Sequence, residues 1–560
     1  MQQVGVMLSG STTSDGVCQL VKSAEGGAVR EGMLVIVNRT SPEARILARI
    51  GEVISHNDFF TVGDAWSESR REGLDIPSDI ARRYQICKLE LLCDITHGTG
   101  PINFPPGPGD TVSGIDPAKN IEDIFNVGKD KPGIVWIGTL LGYTKQRVPV
   151  PLNVEGLPMH LGIFGITGSG KSYDTGVLIE RLLSIRCSST RKVAYPMMIV
   201  DAHGDYANYP DEFHRVKQSG QAEGSWVGVA GWFRRLVFPS ASVMTEATSS
   251  YIQPLGINLD LITPRDIADL IVQFYKGEEA ISELQVAGLA TVLEDFRRRA
   301  RSINVLFRKP EALTTALSDT GKDILASAAR DAIKRAVEKF SEKIEGQYHL
   351  LSTKSPLQEE TFVDRITREQ GVAVIDFSAD GAPGVDLPTK QIIVAYLATL
   401  LFNRFTEYKT RKEMRYLLFM IEEAQNFCPS SRYKVGSSMA RARLSAIATQ
   451  GRKFGLSLCL ITQRPAFVDP VILSMCNTFL IHRVSPGDVS YVQQVTGGLP
   501  ESISKKLTSM GKGEMIVHGQ MATIPYPLLV SVPDERAVKH LAGTTRVVEG
   551  IAEVSDIEHD

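Results

Sequence analysis

Gly165-Ile166-Thr167-Gly168-Ser169-Gly170-Lys171-Ser172 follows the apolar run Leu161–Phe164 and precedes a stretch in which Val177, Leu178 and Leu182 recur at helical spacing. Glycines at these places let successive backbone N–H groups turn inward around an anion, at the positive end of the helix that follows. A strand, such a loop and a helix, in that order, is the setting that Gly-x4-Gly-Lys-Ser requires. The stretch therefore reads as a P-loop. Gly165, Thr167, Gly168, Ser169, Gly170, Lys171, Ser172 and Tyr173 are expected around the phosphates of ATP, with Lys171 neutralising the β and γ phosphates and Ser172 offering its hydroxyl to Mg²⁺. The nearby Thr320-Gly321-Lys322-Asp323 lacks an upstream glycine and sits in helical sequence, so it is a decoy.

Outward from the loop, short continuous apolar runs alternate with helical stretches. Val193–Val200, Val372–Phe377, Tyr416–Ile421, Leu456–Ile461 and Thr478–Ile481 read as buried strands of a doubly wound, mainly parallel α/β sheet. From about Thr263 to Arg365 the strand signals stop. Ile333, Val337, Phe340 and Ile344 then keep to one helical face, and Thr263-Pro264 supplies an N-cap and a first-turn proline. This predicts a helical insertion within the core. Upstream, Val4–Leu8, Met33–Val37, Ala44–Val53 and Tyr84–Cys93 are short β runs punctuated by turn residues, the pattern of a small barrel. The expected organisation is a β-barrel over 1–148, an ATPase core over 149–262 and 366–535 interrupted by a helical insertion over 263–365, and an acidic tail over 536–560.

A hydrolase also needs carboxylates beside the metal and the attacking water. The apolar strand ending in Ile421-Glu422-Glu423 supplies them: Glu422 for the Mg²⁺ shell, through water, and Glu423 to orient or deprotonate the water. Gln463 ends the next apolar strand, at the edge of a parallel sheet where ligands bind, and can sense the γ-phosphate. Arg452 and Lys453 follow a helix that also carries Arg441 and Arg443. An arginine supplied by a neighbouring subunit can neutralise the transition state, whereas a solvated basic helix end would do no more than favour the helix dipole.

Composition narrows the class of partner. Over 560 residues the apolar fraction is 43%, the charged fraction 22% and the net charge −3, so any nucleic-acid contact must be local. Candidates are Arg432 and Lys434 in the loop Ser430–Ser438, and the denser run Arg297, Arg298, Arg299 and Arg301, each of which also fits an ordinary solvated surface. Seven cysteines (Cys18, Cys87, Cys93, Cys187, Cys428, Cys459 and Cys476), scattered and without a Cys-x-x-Cys pair, argue against a disulfide framework or a zinc site. The longest apolar stretch, Ile392–Phe402, is well short of the roughly 20 residues of a membrane span. A cytoplasmic protein with no membrane association is expected.

Read together, His160-x4-Gly165-x4-Gly170-Lys171-Ser172, Asp201-Ala202-His203-Gly204-Asp205-Tyr206, Glu422-Glu423-Ala424-Gln425, Gly451-Arg452-Lys453-Phe454-Gly455 and Thr462-Gln463-Arg464-Pro465 resemble, in order and spacing, the HerA branch of the FtsK/HerA family of hexameric P-loop ATPases. The resemblance extends over nearly the whole chain. It implies a RecA/FtsK-like core, a HAS-barrel-like N-terminal domain, an inserted helical bundle and a homohexameric ring that pumps or unwinds double-stranded DNA. It further implies Lys171, Ser172, Glu423 and Gln463 acting in cis, with Arg452 reaching across the subunit interface. Relatives of this kind work with a separate nuclease such as NurA, or with an NADase or nuclease effector in antiviral defence, and the chain carries no such motif of its own. Two departures stand out: Glu422 replaces the usual Asp, and the HGEY-like element ends in Asp205, which leaves Asp201 and His203 as supporting residues. The competing expectation is an ATP-dependent hexameric scaffold that assembles an effector and moves little DNA. A dinucleotide-dependent oxidoreductase is a poor fit, because the glycines after the first strand lack the G-x-G-x-x-G spacing and Lys171-Ser172 points to a triphosphate with Mg²⁺.

Overall fold

The computed structural model describes all residues except 1–2, 25–28, 58–66, 75–82, 129–130, 144–145, 221–225, 244–250, 278–281, 300–301, 320–324, 434–437, 534–537 and 539–560. The Thr320–Asp323 decoy, Arg301, Lys434 and nearly all of the C-terminal tail thus lie outside the described residues. The chain divides into two compact units, Met1–Val154 with Gly498–Glu535, and Glu155–Gly497 with Arg536–Asp560.

The first unit contains a closed antiparallel barrel in the order Gln3–Met7, Asp15–Leu20, Tyr84–Asp94, Glu43–His56, Leu34–Thr40 and Thr111–Ser113. Closure removes the edges that a small sheet would otherwise expose. Asp15–Leu20 and Thr111–Ser113 were not legible in the sequence, because Asp15, Gly16 and the brevity of the second strand mask their alternation. Glu514–Gly519, Leu528–Ser531, Ile134–Leu140 and Pro149–Asn153 form a further antiparallel run in this unit. Residues Gly498–Glu535 accordingly group with the N-terminal unit, whereas the sequence reading assigns them to 366–535. Arg49 pins the barrel internally: its guanidinium is 1% exposed and donates to the Pro527 carbonyl at 2.5 Å and to Glu90 at 3.0 Å.

The second unit holds a parallel sheet ordered Ile252–Pro254, Phe233–Val237, Val372–Asp376, Met197–Asp201, Leu417–Ile421, Leu456–Thr462, Leu161–Phe164 and Thr478–Ile481. Its central strands are buried along their whole length, as continuous apolar runs must be when helices cover both faces. Phe233–Val237 escapes sequence reading because Arg234 and Arg235 interrupt it. Arg235 is nonetheless buried, its Nε 2.8 Å from Asp376. The run expected at Val193–Val200 begins only at Met197, after Pro196; Lys192–Val193 pairs instead with Ile185–Arg186.

Helices Pro264–Lys276, Glu283–Arg299, Asn304–Arg308, Pro310–Asp319 and Ser327–Ser341 lie between the strands Ile252–Pro254 and Val372–Asp376. Thr263 caps the first of them in a reciprocal capping box with Asp266. Ile392–Phe402 belongs to the long, mostly buried helix Leu387–Thr410. Among the described residues no helix is long and apolar enough to cross a membrane.

Candidate nucleotide site

Register brings the predicted residues to one edge. Phe164 pairs with Thr462, Ile421 with Val200 and Leu460, and Asp201 with Asp376, so the P-loop, Glu422-Glu423 and Gln463 all leave the carboxyl ends of adjacent strands. The loop is tied at its base by Gly165 N–H to the Thr462 carbonyl (3.2 Å) and Ile166 N–H to the Arg483 carbonyl (2.9 Å). A Cβ at Gly165 would meet Ser169 Oγ at 2.6 Å and His482 Cβ at 2.7 Å, while Gly168 and Gly170 hold φ of +77° and +101°. Only glycine meets both demands, so the cradle is set by the sequence itself. Helix Lys171–Leu182 starts directly behind it.

The two acids differ in environment. Glu422 is 1% exposed; its Oε2 accepts from Ala202 N–H (2.9 Å) and His203 N–H (3.3 Å), and its Oε1 has no donor among the described residues. Burial and then the Asp201 charge push its carboxyl well above the usual range, against the pull of Lys171. Asp201 itself accepts from the backbone of Gly204 (2.8 Å) and Tyr206 (2.8 Å) and is pushed up to about 6 by burial and by Asp376. Such crowded buried carboxylates favour a cation beside them. Among the described residues no cluster of three or more His, Cys, Asp or Glu side chains forms a metal cage. Mg²⁺, where bound, would take most of its ligands from waters and phosphate oxygens and few from protein.

Glu423 stands in the left-handed region at φ +50°, a strained conformation for a non-glycine residue. Its carboxylate accepts from Gln425 Nε2, from Gln463 Nε2 at 2.8 Å, and lies 3.4 Å from His203 Nε2. Burial would raise its pKa, but the bonds from His203 and Gln425, the Lys171 charge and the Gln463 bond together hold it below the usual carboxylate range. Gln463 Oε1 in turn accepts from Thr167 Oγ1 at 2.7 Å. A continuous chain thus runs from the P-loop hydroxyl of Thr167 through Gln463 to Glu423. Sequence reading quoted His203 and Gln425 within motifs but assigned neither a contact with Glu423; Gln425 is itself fixed by Thr462 Oγ1 at 2.7 Å. A lone amide two residues past an acid carries no chemical signal of its own.

Arg452 does not join this cluster. It lies in the short turn Gly451–Phe454, ahead of the strand Leu456–Thr462, whose length of about 20 Å at ~3.3 Å per residue separates it from Gln463. Arg443 is held by Asp266 at 2.5 Å and Arg441 lies 3.7 Å from Asp469, whereas Arg452 is exposed and makes no ion pair among the described residues.

The turn is anchored from below by His160, which is 2% exposed at φ +65°: Nδ1 accepts from Leu458 N–H (2.9 Å) and Nε2 donates to the Ala448 carbonyl (2.9 Å). Burial depresses its pKa to about 4, with the Ala448 bond opposing and the Arg452 charge assisting. Below pH 6.5 the unfolded chain takes up a proton that the folded one refuses, so stability falls as pH falls from 6.5 to about 4, by about 3 kcal/mol for this group. The stability gap between wild type and His160→Asn should therefore narrow by about that amount between pH 7 and 4 in urea titrations. A pH-independent gap would show that His160 titrates normally.

Among the basic candidates, Arg297 donates to the carbonyls of Asp260 (2.5 Å) and Ile262 (3.4 Å), and Arg298 and Arg299 pair with Glu294 and Asp295 of their own helix. The described part of that run is thus engaged within the protein, Arg297 with the carbonyls ahead of helix Pro264–Lys276 and Arg298 and Arg299 with their own helix. Arg432 is exposed.

Residues 135–401 match the family "Helicase HerA, central domain". The chain is 24% identical over 458 residues to the DNA double-strand break repair helicase HerA of Saccharolobus solfataricus, covering 79% of this chain and 76% of that one. It is 26% identical over 452 residues to the HerA of Sulfurisphaera tokodaii, covering 79% and 77%. Among solved structures, VirB4 of Thermoanaerobacter pseudethanolicus aligns with a TM-score of 0.46 at 12% identity, covering 72% of this chain and 97% of that one. The motif order of the P-loop, the paired acids and the terminal glutamine, and a likeness to HerA helicases over three quarters of both lengths, agree in a P-loop ATPase that is similar to the HerA helicases.

Proposed function

We propose that the chain forms a homohexameric ring that couples Mg-ATP hydrolysis to translocation along, or unwinding of, double-stranded DNA, together with a separate nuclease of the NurA kind or an NADase or nuclease defence effector. The observation that carries this reading is the division of the site: one edge of the sheet gathers Lys171, Glu422, Glu423 and Gln463, while Arg452 stands exposed at the other, so a second copy must present its Arg452 to complete the first. Lys171 neutralises the β and γ phosphates, and the Thr167–Gln463–Glu423 chain registers the γ-phosphate and holds the attacking water. Glu423, kept ionised by its donors, is ready to accept the water's proton. Ser172 and, through water, Glu422 would hold Mg²⁺, which neutralises charge on the phosphate oxygens. The HerA relatives named for DNA break repair support DNA as the track. The seven free cysteines, six of them buried, suit a reducing cytoplasm.

Steady-state ATPase rates with and without duplex DNA, across a salt series, test the reading. A motor is stimulated by DNA and loses that stimulation as salt rises, because phosphate contacts release counterions. The scaffold alternative draws on the net charge of −3 and on Arg298 and Arg299, which pair with acids of their own helix; a hydrolysis rate indifferent to DNA at every salt concentration would establish it.

A further inference from the structure

The segments that follow Glu423 and Gln463 are fastened to each other. Asp469 N–H donates to the Cys428 carbonyl (2.8 Å), Pro429 pairs with Val468, Ser430 N–H donates to the Phe467 carbonyl (2.8 Å), and Ser430 Oγ donates to the Ala466 carbonyl (3.0 Å). Tyr433 closes this ladder. Its ring stacks on Phe467 at 5.0 Å and 17°, and its hydroxyl donates to Asn426 Oδ1 at 3.3 Å. Asn426 N–H, in turn, donates to the Glu423 carbonyl at 2.8 Å. On the other side of the ladder, the Arg464 guanidinium lies 4.4 Å from the Phe467 ring and 3.1 Å from the buried Asp488, which fixes the ring's seat. Tyr433 is therefore touched by both arms of the site, the Gln463 arm through Phe467 and the Glu423 arm through Asn426. The residue before it is the exposed Arg432.

We infer that Tyr433 is a positioning residue that couples the nucleotide state to DNA grip: movement of Gln463 or Glu423 on loss of the γ-phosphate is passed through the Phe467 stack and Asn426 to Arg432, which holds a phosphate of the duplex. The inference rests on the DNA-motor reading and adds to it the path from site to track. Coupling of this kind is a free energy shared by two sites, carried by an element that both of them bias. Among the described residues, Tyr433, Phe467 and Asn426 make their hydrogen bonds and ring contacts to one another and to neighbouring segments other than the P-loop, so altering the path need not alter the chemistry.

The test uses the full chain as wild type, Tyr433→Leu, Tyr433→Phe and Arg432→Ala, each assayed for ATP hydrolysis with and without a duplex of random sequence, and for duplex binding across a salt series. Tyr433→Leu, which removes stack and hydroxyl, should keep the DNA-free rate and KM for ATP within about twofold yet lose stimulation by about tenfold. Tyr433→Phe, which keeps the stack, should recover most of it. Arg432→Ala should weaken duplex binding and lower the salt slope by about one. Stimulation retained in Tyr433→Leu would overturn the path, as would a DNA-free rate that falls in step with the stimulated one. An unaltered salt slope in Arg432→Ala would remove its proposed end point. A wild type that DNA does not stimulate would overturn the motor reading itself, and the path with it, an outcome visible before any variant is made.

Discussion

Glu423→Gln should stop turnover while ATP stays bound. The carboxylate lies in a strained left-handed turn, accepts from Gln463 and Gln425, and is held below the usual carboxylate range, so it is ionised where the proton must be taken. Glutamine keeps the length and one acceptor oxygen, and so preserves the bond from Gln463, but its amide cannot accept the water's proton. Positioned general bases contribute about 10²–10⁴-fold, and a loss in hydrolysis rate of that size is expected. The lost charge faces the attacking water and lies at the end of the Thr167–Gln463 chain, away from the glycine cradle, so affinity for ATP should be little changed. Steady-state hydrolysis and equilibrium nucleotide binding on the same preparation separate the two effects. Hydrolysis at the wild-type rate would remove Glu423 from the role of base; loss of binding would make it part of the cradle.

What could be read from the sequence follows from how each feature is encoded. The P-loop, the paired acids and Gln463 announce themselves because each joins a continuous apolar run to a polar end, and a parallel sheet leaves such ends at one edge. Phe233–Val237 did not, because Arg235 is neutralised by Asp376, which lies 141 residues further along the chain, and no local pattern marks a charge as destined for burial. The same limit hid the partnership of Thr167 with Gln463, 296 residues apart, and that of His160 with the strand Leu456–Thr462. The place of Glu422 at the carboxyl end of an apolar strand was legible by position. Its burial and its crowding by Asp201, which together push its carboxyl above the usual range, follow from the sheet order Met197–Asp201 beside Leu417–Ile421 and are visible only in three dimensions.

Arg452→Ala should reduce hydrolysis by about 10³–10⁵-fold, the range for an arginine that neutralises transition-state charge, although the residue touches nothing in its own chain's site. The strand between Arg452 and Gln463 is about 20 Å long, well beyond a guanidinium's reach, so the effect can come only from another copy. Mixing Arg452→Ala with Glu423→Gln makes that claim sharp. If the arginine served its own subunit, every subunit of either variant would lack one group, and no mixture could work. If it acts across the interface, an Arg452→Ala subunit still offers Glu423, and a neighbouring Glu423→Gln subunit still offers Arg452. In head-to-tail rings assembled at random from equal amounts, about a quarter of interfaces would then be intact. A mixture that regains hydrolysis toward that fraction, where each variant alone is inactive, is the expected result. A mixture as inactive as its components, with ring assembly verified by sedimentation, would withdraw Arg452 from the site and leave the basic turn as a solvated helix end.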